Sequence, residues 1–130
     1  MDNKVIKKLF EDTRQRSLEL IKNLRPEDTC IQSMEDASPI KWHLAHTSWF
    51  FEEFVIKKVK SNFKSPDPRF SYLFNSYYVQ AGPRFTRSQR GLISKPDLTE
   101  VLNYNRLRTS TLGFKLATNN DTVEKRNVVV

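Results

Sequence analysis

From the start of the chain, side chains of one kind return every three or four positions. Ile6, Leu9, Phe10, Leu20, Ile21 and Leu24 share a register, with Ser17 in the same stripe. This spacing predicts an amphipathic helix over 3–24, ended at Arg25-Pro26 because the residue before proline is pushed out of the α region. Arg14 and Arg16 fall among charged positions and read as solvent-facing. A second helix is expected over 38–59, with Ser38 as N-cap and Pro39 at the first helical position. In it Trp42, His46, Trp49 and Glu53 fall on one stripe, and His43, Thr47, Phe50 and Phe54 on the next. Asp97, with Glu100 three residues on, is a capping-box variant that opens a third helix over 97–107. Leu98, Val101 and Leu102 supply its apolar side, with Leu107 further along. Beyond Asn105 no period is sustained, so the domain is expected to span 1–112, with 113–130 as a poorly structured tail.

Between the second and third helices lies a long crossover, 61–96, with four of the 6 prolines and two of the 3 glycines. A stretch this long is usually functional or disordered. Its aromatic residues (Phe70, Tyr72, Phe74, Tyr77, Tyr78, Phe85) argue for order, with a short helix at 71–79. The fold class is therefore all-α: a helical bundle of up to four helices with an irregular crossover between helices 2 and 3.

Composition changes this picture little. With 130 residues there is room for one modest core, which 9 Phe, 4 Tyr and 2 Trp can fill. A net charge of +7 and a pI near 9.7 suit an acidic ligand or nucleic acid, but no run of Lys or Arg exceeds two. The 1 cysteine, Cys30, excludes an intrachain disulfide and reads as a small half-buried filler. No segment resembles a signal peptide or membrane span, so a cytoplasmic protein is expected, with no membrane partner.

Two features carry candidate chemistry. His43 and His46 are the only histidines. Neutral imidazoles on a rigid helix are good ligands for iron, zinc or nickel, although i,i+3 is a weaker chelating spacing than i,i+4. Periodicity alone favours the plainer alternative, that both are packing residues. The second feature is GPRFTRSQRG, which sets Arg84, Arg87 and Arg90 at equal steps of three. Guanidinium forks suit bidentate capture of carboxylate or phosphate. A solvated basic loop is the alternative.

Several motifs belong together. WHLAHTSWFFEEFVI, YLFNSYYVQAGPRFTRSQRGLISKP and DLTEVLNY, with TRQRSLELIKNLRPED and EDASPIKWHLAH upstream, resemble the N-terminal DinB-like domain of the ergothioneine-biosynthesis sulfoxide synthases. The resemblance covers residues 10–104. It implies a DinB/YfiT-like four-helix bundle that, with a catalytic C-terminal domain, holds a non-haem Fe(II) through three histidines. There, O₂ is used to join a thiol to the imidazole of hercynine. By resemblance the metal ligand is His46, the last histidine of WHLAH, with His43 as second choice. Arg87 and Arg90 would grip the carboxylates of γ-glutamylcysteine or cysteine, with Arg84 mattering less. The two remaining ligands, a His-x-x-x-His pair on the final bundle helix, are absent. The site is then incomplete, no catalytic residue is assigned, and the chain is expected to be a truncated copy, inactive alone. Three alternatives stay open: a stand-alone divalent-metal-binding bundle, a basic nucleic-acid-binding module without a recognisable motif, and a non-functional remnant.

Overall fold

A computed structural model describes the backbone of residues 2–118 and the side chains of 2–113. Helix α1 (Asn3–Ile21) opens on Asp2, whose carboxylate accepts the Lys4 N–H at 3.1 Å. It ends one turn earlier than the sequence suggests. A short 3₁₀ turn (Pro26–Cys30) and an extended stretch lead to α2 (Ile40–Phe51). The helix does not stop there: it widens into a π-helical turn (Glu52–Ile56) and closes with one further α turn, α3 (Lys57–Val59). The cap differs from expectation. Pro39 occupies the N-cap position, and Ser38 instead accepts a hydrogen bond from Arg90.

The crossover is ordered, with α4 (Phe70–Phe74), a 3₁₀ turn (Val79–Ala81) and a 3₁₀ helix (Arg87–Leu92). Helix α5 (Leu98–Thr118) begins as the capping box predicts, with Asp97 Oδ1 accepting the Glu100 N–H at 2.9 Å. It continues eleven residues beyond the expected end at 107, so the expected boundary at 112/113 falls inside it. The rest of the expected tail, 119–130, lies outside the described residues. Among the described residues there is no β-strand, only one isolated bridge between Met34 and Ala37.

Helix α5 packs against both α1 and α2, and its buried positions explain why its length was hidden. Val101, Tyr104, Asn105, Arg108 and Leu112 recur at helical spacing, but two of the five are strongly polar. One core cluster joins Trp42, Ala45, Trp49, Phe74 and Val101; another, at the far end, joins Phe10, Val55, Ile56 and Leu112. Between them the helices are tied by buried polar groups. Arg14, read as solvent-facing, is 5% exposed. It donates to Thr109 Oγ1 (3.1 Å), Thr47 Oγ1 (3.0 Å) and Ser48 Oγ (2.8 Å), linking α1 to α2 and α5. Its guanidinium also lies over Phe10 and Phe51. Burial pulls its pKa down to about 10, so it stays charged at neutral pH. On the other side, α1 and α2 leave an open groove of about 340 Å³, lined by Leu20, Ile21, Ile40, His43, Leu44 and Thr47.

Candidate metal-ligand site

The N-terminal half of α2 organises the crossover through side chains one turn apart. The Trp42 indole N–H donates to the Leu73 carbonyl at 2.9 Å. One turn on, His46 Nδ1 lies 2.7 Å from the Phe74 carbonyl. A carbonyl only accepts, so the proton sits on Nδ1 and the lone pair on Nε2. Arg90 reaches the next two carbonyls, Asn75 (3.5 Å) and Ser76 (3.4 Å). Four consecutive carbonyls, from the last two residues of α4 to Ser76, thus meet donors from α2 and the 3₁₀ helix. The three donors also stack. The Arg90 guanidinium lies 3.8 Å from the Trp42 ring centroid, and His46 lies 4.7 Å from that ring and 8° from parallel.

His46 is half-buried, whereas His43 is exposed and turned to the groove between α1 and α2. Burial holds the His46 imidazole below the usual histidine range; the Phe74 bond opposes this, and His43 and Arg90 reinforce it. His43 is lowered as well, by partial desolvation of its ring against the helix surface and then by Arg90, against a hydrogen bond at the Ser38 backbone. Both are therefore neutral at pH 7. In His46 the proton is on Nδ1, and among the described residues Nε2 has no hydrogen-bond partner. Metal-ligating histidines typically donate their other ring N–H to a carboxylate, a backbone carbonyl or water, and the Phe74 carbonyl takes that place here.

The remainder of a metal centre does not follow. Among the described residues no group of three or more His, Cys, Asp or Glu is placed to hold a metal. Glu53, expected beside His46 on its stripe, pairs instead with Lys57 at 2.6 Å. The carboxylate carried into the core is Glu52, at 1% exposure. His46 fits as one ligand; a three-histidine centre does not fit a chain with 2 histidines.

The arginines also part company. Arg87 and Arg84 are exposed, while Arg90 is 3% exposed and held by Ser38, Asn75 and Ser76. Burial, then Arg87 and Arg84, pull the Arg90 pKa down to about 10. Gln32 fixes the arginine loop to the first connection, donating to the Arg87 carbonyl (2.8 Å) and accepting the Gly91 N–H (2.8 Å). A Cβ at Gly91 would lie 3.0 Å from Gln32 Cβ, so this close approach needs glycine.

Sequence reasoning missed Arg14, Lys41, Glu52 and Arg108, all buried. Lys41 donates to the Ile93 and Ser94 carbonyls at 3.1 and 3.2 Å. Charged residues are read as solvent-facing by default. The one available signal was their position on the inward stripe of their own helices.

The sequence profile of the DinB superfamily matches residues 9–113. No curated protein matches the chain.

Proposed function

The chain belongs to the DinB superfamily, and on that premise we propose that it is a metal-ligand-bearing helical module. His46 supplies one neutral imidazole, through Nε2, to a divalent-metal centre whose other ligands come from a further polypeptide segment. One observation carries this reading: the Nδ1–H bond to the Phe74 carbonyl fixes the tautomer that leaves Nε2 free. Within the superfamily, the WHLAH and arginine-loop motifs favour a role like that of the ergothioneine-biosynthesis sulfoxide synthases. The metal would then be Fe(II), and the small molecules a thiol such as γ-glutamylcysteine or cysteine, together with hercynine. Exposed Arg87 is the guanidinium available to the thiol's carboxylate, and Arg90 holds the loop from behind. The donor set present does not make a complete iron centre, so no chemical step is assigned to this chain.

A second reading has its own observation. His46 stacked on Trp42 and bonded to Phe74 also serves as a packing residue that holds the crossover on α2. Anaerobic calorimetric titration of Fe(II) or Ni(II) into the chain separates the two. Metal ligation predicts weak binding that His43→Ala retains and that both His46→Ala and His46→Gln lose. The glutamine variant keeps a donor for the Phe74 carbonyl, so lost binding cannot be blamed on an undocked crossover. Equal losses at His43 and His46, or no binding by the unaltered chain alongside destabilisation by His46→Ala, favour packing alone.

A further inference from the structure

Beside the last turn of α2 and the π-helical turn lies a cavity whose polar groups do not balance, and it is independent of the metal reading. It encloses about 460 Å³ and is lined by Trp49, Glu52, Glu53, Lys57, Phe63 and Lys64, among others. Glu52 and Glu53 open the π-helical turn, a feature found often at functional sites. Both carboxylates are already matched. Glu52 Oε2 accepts the Tyr104 hydroxyl at 2.9 Å and pairs with Arg108 Nε at 3.6 Å, while Glu53 pairs with Lys57 at 2.6 Å. The groups left over are donors. Trp49 is 1% exposed, and its indole N–H has no hydrogen-bond partner among the described residues. Trp42, two turns earlier, spends the same group on the Leu73 carbonyl. Arg108, its guanidinium 4.8 Å from the Phe63 centroid, meets Glu52 as an ion pair, and its Nε and Nη1 also lack a hydrogen-bond partner. Lys64 is exposed and in no ion pair among the described residues.

A buried donor without an acceptor keeps its full desolvation cost, so it calls for an oxygen. Lys64 leaves the wall with a positive charge that no carboxylate matches, so an anion is the better carrier of that oxygen. We infer that this cavity binds a small monocarboxylate with an apolar body, one oxygen accepting the Trp49 N–H and the charge balanced by Lys64. The Lys64 stem is long and exposed, which lets the ammonium turn to the carboxylate. The Trp49 and Phe63 rings bury the apolar body. An ammonium ligand finds no such place, because both carboxylates on the wall already hold a cation.

Benzoate is the probe, beside benzamide, which keeps the shape without the charge, and benzylamine, which reverses the charge. Binding is measured by calorimetry at constant ionic strength and located by the indole N–H resonances of the 2 tryptophans. The expected order of affinity is benzoate, benzamide, benzylamine. The Trp49 resonance should move downfield, and that of Trp42, already bonded to the Leu73 carbonyl, should stay. Trp49→Phe keeps an aromatic wall without the N–H and should weaken benzoate at least ~10-fold. Lys64→Ala changes an exposed position, so it tests the site even where Trp49→Phe does not fold. It should weaken benzoate by about 2–5-fold, the range for a solvent-exposed ion pair, and leave benzamide unchanged. Benzylamine binding at least as tightly as benzoate overturns the proposal. So does a Trp49 resonance that stays still at saturation, benzoate affinity unchanged in Lys64→Ala, or no saturation up to about 100 mM.

Discussion

Arg14 brings a positive charge into the bundle with no carboxylate beside it, and hydroxyls and rings compensate instead. Its four-way bonding to Thr47, Ser48, Thr109 and the Asn105 carbonyl depends on the planar fork, which a lysine cannot reproduce. Arg14→Ala should therefore destabilise by about 2–4 kcal/mol, because buried hydroxyls lose their donor and a cavity opens. Exposed Arg16→Ala should stay within about 0.5 kcal/mol. Urea denaturation of the two variants checks this, and Arg14→Lys should not restore stability. The histidines give a pH dependence whose sign is fixed. Both folded imidazoles titrate below the usual value near 6.5, so between the two values the unfolded chain binds more protons. Stability should fall as pH drops through and below about 6.5. Denaturation midpoints measured from pH 7.5 to 5 should show a slope that shrinks in His46→Gln.

At the scale of elements, α5 is the instructive case. Its second half is anchored by Leu112, 1% exposed against Phe10, Val55 and Ile56. Leu112→Ala should cost about 2–5 kcal/mol, whereas Leu107→Ala, at 54% exposure, should cost little. The same measurement tests whether the helix persists past its apolar stripe. At the other end, Asp97→Ala removes the acceptor for the Glu100 N–H and should cost about 1 kcal/mol. Helix α2 behaves differently along its length. Its first turns bind the crossover through Trp42 and His46, and at the start of its π turn Glu52 places a carboxylate in the core.

Across the whole molecule, α5 serves as the common wall for α1 and α2, and the opposite groove stays open. Leu20 at 71%, Leu9 at 54% and Ile40 at 39% exposure leave apolar surface on α1 and α2. No helix among the described residues is long and apolar enough to cross a membrane. Charge is distributed unevenly between inside and outside. Among the described residues the buried cations are Arg14, Lys41, Arg90 and Arg108, against one buried carboxylate, Glu52, which pairs with Arg108. Carbonyls, hydroxyls and aromatic faces carry the remaining compensation, which fixes the crossover and the three long helices in one arrangement.

Hydrophobic spacing by itself determined the helical class, the starts of α1 and α5, and the ordered crossover. These depend on local periodicity and on prolines and caps a few residues away. The length of α5 was hidden because Asn105 and Arg108 hold inward positions that apolar residues usually take. The environments of Arg84, Arg87 and Arg90 were also out of reach, since equal spacing says nothing of which guanidinium meets the Trp42 face and the Asn75 and Ser76 carbonyls. Tertiary structure showed that the innermost stripe of α2 runs through Ala45, Ser48 and Glu52, beside the one expected through Trp42, His46 and Glu53. A buried charge is tolerated only where distant segments bring donors and acceptors to it, and residues 52, 104 and 108 meet only once the chain has folded.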